Sequence, residues 1–95
     1  MPLEAVFRAT VWLYEGKAAW HFATLPKNLS ARIRALKSGS VRVTAALGGT
    51  RWKTSIFPDT KAGAYLLPIK ASVREKERVR PGEEVEIALV IDVSP

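Results

Sequence analysis

The fold of this chain is decided by residues 51–74, Arg-Trp-Lys-Thr-Ser-Ile-Phe-Pro-Asp-Thr-Lys-Ala-Gly-Ala-Tyr-Leu-Leu-Pro-Ile-Lys-Ala-Ser-Val-Arg. Two runs that are rich in apolar and aromatic residues, 51–57 and 64–73, flank a turn cluster at 58–63 that contains proline, aspartate and glycine. This pattern predicts a β-hairpin. Because side chains alternate along a strand, one face of the hairpin is apolar and the other carries several positive charges and a hydroxyl.

The charged face of this hairpin is a candidate site. We expect Phe57 to pair with Ala64, a register that also places Arg51 opposite Lys70. Like charges directly opposed destabilise a sheet unless an anion or solvent separates them. The charged face is therefore a candidate anion-binding surface, with four cations and one hydroxyl donor: Arg51, Lys53, Ser55, Lys70 and Arg74.

A second interpretation of the same residues needs no ligand. Lysine and arginine side chains can lie along apolar surface while their charged ends stay in water. Lys70 or Arg74 would then pair with an acidic residue elsewhere in the chain. The register is itself a prediction, and a one-residue slip would move every side chain of a strand to the other face.

Positive charge is concentrated in the middle of the chain. The whole chain carries +6, while residues 27–61 hold eight basic residues and one acidic residue, a net +7. Such an excess favours an anionic partner, most commonly nucleic acid, although it also serves simply to keep a small protein soluble. The basic residues that precede the hairpin form a candidate nucleic-acid-binding set: Lys27, Arg32, Arg34, Lys37 and Arg42.

The remaining chain is predicted to be mostly strand. Alternating or β-rich runs place strands at 3–15, 18–24, 41–47, 51–57, 64–73 and 85–93. One helix is expected from Pro26 to about Lys37, with Leu29, Ile33 and Leu36 as its apolar stripe. Residues 75–80 are predicted to be a charged connector, with one helical turn as the alternative.

Six strands and one helix that do not alternate as βαβ units predict a mainly antiparallel sheet. Closing the sheet removes exposed strand edges, which suits a chain of 95 residues. The prediction is therefore a mainly β fold: one domain over residues 1–95, a six-stranded barrel or pseudobarrel with one α-helix capping an end.

Several classes of chemistry have little support. Cysteine is absent, which excludes disulfides and thiolate sites, and the single histidine, His21, lies in a predicted strand. No serine lies in a nucleophile-elbow sequence. We predict neither an enzyme nor a metal or cofactor. The first residues do not resemble a signal peptide and no apolar run approaches the roughly 18 residues of a membrane span, so we expect a cytoplasmic protein without a membrane partner.

The three tryptophans have two possible roles. Trp12, Trp20 and Trp52 are suited to stacking on bases or lining a small-molecule pocket. They are equally suited to filling the core, and we expect at least two of them to do so.

Several motifs resemble one known family. They are Leu25-Pro26, Thr54-Ser55-Ile56-Phe57-Pro58, Tyr65-Leu66-Leu67-Pro68-Ile69-Lys70-Ala71, Val73-Arg74 and, outside the hairpin, Trp20-His21-Phe22 and Pro81-Gly82. On these residues the chain resembles domain of unknown function 1905. The resemblance implies a small β-barrel related to the double-split barrels that include AbrB-like transition-state regulators. It implies no activity. Members are often fused to a bacteriocin-protection (YdeI/OmpD-associated) domain, which these 95 residues do not include.

Three functions fit these observations. The first is a non-enzymatic binding or interaction module with an anion-accepting basic face. The second is a nucleic-acid-binding protein, and the third is a domain that binds a small anionic ligand. A homodimer is also possible.

Overall fold

The computed structural model describes residues 2–16 and 18–94. Within these residues six strands form a closed antiparallel barrel in the order β1-β2-β5-β4-β3-β6. The elements are β1 (Leu3–Leu13), β2 (His21–Thr24), α1 (Lys27–Leu36), β3 (Val41–Leu47), β4 (Thr50–Asp59), β5 (Ala64–Pro68), α2 (Ala71–Glu77) and β6 (Glu84–Ile91). The predicted six-stranded antiparallel barrel is confirmed, and a second helix joins the one expected.

The barrel interior is filled by every second side chain of the strands. In β3 the buried residues are Val41, Val43, Ala45 and Leu47, while Arg42 points outward and is exposed. β4 and β6 contribute fully buried aliphatic residues in the same way. Strict alternation of this kind is what a closed barrel requires, because one face of each strand forms the core.

Helix α1 packs against β5. Leu29 and Ile33 are buried, and the hydroxyl oxygen of the fully buried Ser30 accepts a hydrogen bond from the backbone N–H of Tyr65 at 3.0 Å. Leu36, expected on the same apolar stripe, is instead 57% exposed because it is the last helical residue. Neither helix of the described chain has the length and apolar character needed to span a membrane.

The register of the central hairpin differs from the predicted one by two residues. Phe57 pairs with Leu66, not with Ala64, and Asp59 pairs with Ala64. Because side chains alternate with a period of two, this shift leaves the residues of β4 and β5 on their predicted faces. Ile56 and Leu67 are thus both fully buried, as the apolar face requires.

A shorter turn explains the shift. Asp59 ends β4 and its carbonyl accepts a hydrogen bond from the N–H of Gly63 at 2.9 Å. The Asp59 carboxylate also accepts from the N–H of Lys61 at 3.1 Å, and Gly63 takes a left-handed φ of 66°. These contacts close a four-residue turn. The predicted turn at 58–63 therefore began two residues too early, because Pro58 and Asp59 belong to β4.

The predicted strand at 64–73 was wrong beyond Pro68, and of the connector at 75–80 the helical-turn alternative has a counterpart in the last residues of α2. Residues 71–77 form α2, which buries Val73. Alanine, arginine, glutamate and lysine in this segment are strong helix formers, and one buried apolar residue in two turns does not support a half-buried strand. Since Lys70 precedes this helix, the predicted contact between Arg51 and Lys70 is absent; Arg51 lies opposite Ala46 of β3.

Strand β4 has strands on both sides over only part of its length. It pairs with β3 from Thr50 to Ile56, but with β5 only from Phe57 to Asp59. Along residues 50–56 its second edge has no neighbouring strand within the described chain. Helix α2 packs across this opening, where the Thr50 hydroxyl donates to Glu77 Oε2 at 2.6 Å. The candidate site lies at this opening.

Candidate functional site

A groove of about 750 Å³ opens where β4 and β5 separate. Its lining comes from the segment before β2, from β3 and β4, and from the connection between β5 and α2. Four basic side chains line it, and no aspartate or glutamate of the described residues does. We call this the basic groove, and its cations are Arg42, Lys53, Lys70 and Arg74.

Most of the predicted anion-binding set is brought together here. Lys53, Ser55, Lys70 and Arg74 all line the basic groove, whereas Arg51 does not. Arg51 is exposed near the start of β4, opposite Ala46 of β3, and does not line the groove. Ser55 is half-buried, so its hydroxyl lies within the lining and not on open surface.

The predicted nucleic-acid-binding set is divided. Arg42 lines the basic groove, but the four cations of α1 and its C-terminal cap, Lys27, Arg32, Arg34 and Lys37, do not. Two of these four donate hydrogen bonds to backbone carbonyl oxygens. Arg34 Nη2 donates to the carbonyl of Gly63 at 3.4 Å, and Lys37 Nζ donates to the carbonyl of Ser94 at 2.9 Å. The structure therefore separates residues that the sequence grouped together.

Arg74 is held in position by two acceptors. Its Nε donates to the carbonyl oxygen of Ile69 at 3.0 Å, and its Nη1 lies 3.4 Å from Nε2 of His21. The Nδ1 of His21 lies 2.9 Å from the carbonyl oxygen of Ala19. A neutral imidazole with its proton on Nδ1 satisfies both contacts, a tautomer assigned from this geometry. Three N–H donors of the guanidinium remain for another partner.

Ala19 and Trp20, the two residues before β2, have a constrained backbone. Ala19 takes a left-handed φ of 49°, which costs a non-glycine residue roughly 1–2 kcal/mol. Next to it, the Trp20 carbonyl accepts a hydrogen bond from the N–H of Tyr14 at 2.7 Å. Backbone strain of this kind clusters at functional sites. Trp20 and His21, which follow the strained Ala19, both line the groove.

An aromatic cluster lies beside the groove. Phe22, which is buried, contacts the rings of Trp12, Tyr14, Trp20 and Phe57. Trp20 stacks on Phe22 with centroids 5.8 Å apart and planes at 23°, and Phe57 meets Phe22 edge-on at 5.6 Å. Trp20 and Phe57 both line the groove, and Trp20 remains 49% exposed.

This cluster corrects the expectation for the tryptophans. Trp52 is buried in the core, but Trp12 lies on the outer face of β1 and Trp20 is half exposed, so one tryptophan fills the core where two were expected. Trp12 alternates with the buried Val11, and its Nε1 donates to the Thr24 hydroxyl at 2.9 Å.

A family model described as a domain of unknown function (DUF1905) matches residues 7–89. The chain belongs to this family. The match contains every residue that lines the basic groove, and it confirms the family resemblance noted in the sequence. A search of curated proteins finds none that matches the chain.

Asp92, the acidic residue that lies beside two cations of the basic groove in this DUF1905 chain, is hydrogen-bonded to Ser94. Arg42 and Lys53 also border a second depression of about 510 Å³ that includes Asp92. The Asp92 carboxylate accepts hydrogen bonds from the hydroxyl and the backbone N–H of Ser94, and these two bonds hold its pKa below the usual 3.8. In the described residues the ion pairs within 4 Å are those of Arg8 with Glu84 and Glu86.

The expected alternative, a carboxylate partner for Lys70 or Arg74, is therefore not observed within residues 2–16 and 18–94. Among the same residues no three histidine, aspartate or glutamate side chains lie close enough together to hold a metal ion.

The predicted site residues do not include His21 or Phe57, whereas Trp20 is one of the three tryptophans suited to stacking on bases or lining a pocket, and it does line the groove. Trp20 and His21 reach the groove because β1 pairs with β2 and β2 with β5, a strand order that no local pattern reveals. The available signal was the Trp20-His21-Phe22 motif itself.

Proposed function

We propose that this DUF1905 chain is a non-enzymatic cytoplasmic binding module that holds a small anionic ligand in the basic groove. One observation carries the proposal: four cations from three parts of the chain line one groove without an acidic residue among its described lining. Like charges that converge in a cleft raise the local concentration of anions and repel one another when the cleft is empty. A bound anion removes that repulsion.

The polar groups of the groove suit an anion with several oxygens. Arg74 is already oriented by Ile69 and His21, so little side-chain entropy is lost when it binds. Thr54 and Ser55 add hydroxyl donors beside Lys53. A hydrogen bond to a charged group contributes roughly 1.5–3 kcal/mol. Two or three of them, together with the cations, support binding in the micromolar range, about −8 kcal/mol.

The absence of catalysis is part of the proposal. His21 is the single histidine, and both of its ring nitrogens already have partners in the described chain. A general base in the groove would have to come from another residue type, and no carboxylate of the described residues lines it. The groove supplies charge and hydroxyl donors, which bind ligands without transferring protons.

Nucleic-acid binding along a basic surface is the weaker alternative. Four of the five residues predicted for it lie outside the groove, and Arg34 and Lys37 have backbone carbonyls as partners. The geometry favours a compact ligand over an extended strand.

Calorimetric titration with inorganic pyrophosphate tests the proposal. Pyrophosphate should bind at about 50 mM salt and several-fold more weakly at about 200 mM, because salt screens charges at an open groove. Heat of binding that is absent at the lower salt concentration, with circular dichroism showing folded protein, would overturn the proposal.

A further inference from the structure

We infer that the anionic ligand carries a planar aromatic ring and that Trp20 stacks on it, so that the basic groove takes a nucleobase joined to phosphate. This inference rests on the proposed function and adds the class of ligand to it. The shared chemistry, one base with one or more phosphates, has two possible sources: a free nucleotide or an unpaired nucleotide of a single strand.

The first support is the position of Trp20. A tryptophan that serves only packing buries most of its ring, yet Trp20 leaves 49% of its surface exposed on the lining of the groove. Phe22 supports one side of it at 5.8 Å in a stacked geometry. The backbone on either side is fixed, since Ala19 accepts from His21 Nδ1 and Trp20 accepts from the N–H of Tyr14.

The second support is the lining next to Trp20. Phe57 lines the groove as well and meets Phe22 edge-on at 5.6 Å. Pro68, the last residue of β5, lies opposite Phe22 across the β2–β5 pair and also lines the groove. An inorganic anion gains nothing from this apolar aromatic surface, whereas the flat face of a base gains from stacking on it.

The third support is the contact between the aromatic and basic parts of the groove. His21 follows Trp20 in the chain, and its Nε2 lies 3.4 Å from Nη1 of Arg74. Trp20 and Arg74 line the same groove, so a ring stacked on Trp20 shares that groove with the guanidinium, and Lys53 and Lys70 add to its positive lining. A volume of about 750 Å³ falls within the range of small-molecule sites and suits one nucleotide.

Stacking gives little discrimination among bases, because every base has a flat π-face. The side chains that line the groove offer hydroxyl and cationic donors but no carboxylate among the described residues. We therefore expect adenine and guanine nucleotides to bind with affinities within about tenfold of each other.

The test compares two ligands that differ by the base alone. Adenosine monophosphate and ribose 5-phosphate are titrated by calorimetry into the full chain, into Trp20→Ala and into Leu13→Ala. Leu13 is a matched control because it is an exposed apolar residue, 42% exposed, that does not line the groove. Unfolding curves confirm that each variant is folded.

With the parent chain, the nucleotide should bind about tenfold more tightly than the sugar phosphate, which is the usual gain from one stacked base. Trp20→Ala should remove the tenfold difference between the two ligands and change the affinity for ribose 5-phosphate by less than about twofold. Leu13→Ala should keep the full difference, and Trp20→Phe should keep part of it. Equal affinities in the parent chain would overturn the ring inference and leave the anion site intact. If neither ligand nor pyrophosphate binds, the proposed function fails as well.

A short deoxyadenylate strand of about eight nucleotides separates the two sources. A strand that binds more than about tenfold tighter than the mononucleotide, with the same loss in Trp20→Ala, identifies a single strand as the source of the base. If the strand binds as tightly as the mononucleotide or more weakly, the free nucleotide is the source of the base. Both results support the stacked base, and a strand whose binding is unaffected by Trp20→Ala counts against it.

Discussion

The guanidinium of Arg74 lies 3.4 Å from the ring of His21, although 53 residues separate them in the chain. This contact joins α2 to the start of β2 at the opening between β4 and β5. It exists because residues 71–77 form a helix that carries Arg74 back toward the barrel. Helix α2, whose first residues are predicted to be strand, is thus the element that orients Arg74 in the groove.

Arg74→Ala should therefore weaken pyrophosphate binding about tenfold, as expected for the loss of a charge-assisted hydrogen bond. Arg74→Lys should not restore the affinity, because an ammonium group cannot contact Ile69 and His21 and still present donors to a ligand. Calorimetry on the two variants checks both statements. Full affinity in the lysine variant would show that charge alone matters there.

Gly48→Ala should destabilise the fold by about 1–2 kcal/mol. Gly48 has a φ of 59°, and an added Cβ would meet the carboxylate of Glu77 that accepts the Thr50 hydroxyl. Gly49→Ala is the matched control, because a Cβ there meets nothing within 4 Å and its φ is not in the left-handed region. Urea unfolding measures both, and equal stabilities would contradict the packing of α2 on the β3–β4 turn.

Ser30→Ala should cost about 1–3 kcal/mol, because it leaves the buried N–H of Tyr65 without its acceptor. Ser72→Ala, at an exposed position of α2, should change the free energy of unfolding by less than about 0.5 kcal/mol. Urea unfolding again provides the measurement. A Ser30 variant as stable as the parent would mean that α1 is not fixed to β5 by this bond.

Asp92 should give a defined pH dependence. Hydrogen bonds from Ser94 lower its folded-state pKa, so the stabilisation is present above the ordinary value of 3.8 and is lost as the pH falls through the lower folded value. The melting temperatures of the parent and Asp92→Asn should therefore differ at neutral pH and converge in acid. A difference that grows as the pH falls would reverse the sign and contradict the assignment.

The sequence predicts the barrel because alternation is strict where one face is buried. Val41 to Leu47 shows this, and its predicted bounds match β3. The faces of the central hairpin also follow from alternation, so Lys53 and Ser55 were placed correctly even though Phe57 pairs two residues away from the predicted partner. Register depends on the turn, and the contacts of Asp59 with Lys61 and Gly63 decide it.

The rest of the site depends on contacts distant in sequence. β5 ends at Pro68, and α2, which follows it, contacts β4 through Thr50 and Glu77, which are 27 residues apart in the chain. Trp20 and His21 join the groove through the pairing of β2 with β5. No local pattern reveals which strands are neighbours, so the sequence offers Trp20 as one of three tryptophans for a pocket and does not assign His21 to a site.

The central claim, that the basic groove binds an anion, is tested most directly by comparing Lys53→Ala with Arg51→Ala. The two residues are exposed, lie on the same face of β4 and lose the same charge, but Lys53 lines the groove and Arg51 does not. We predict that Lys53→Ala raises the calorimetric Kd for pyrophosphate about tenfold and that Arg51→Ala changes it less than about twofold. Equal effects of the two variants would contradict the account, because they would show that the ligand responds to net charge and not to this groove.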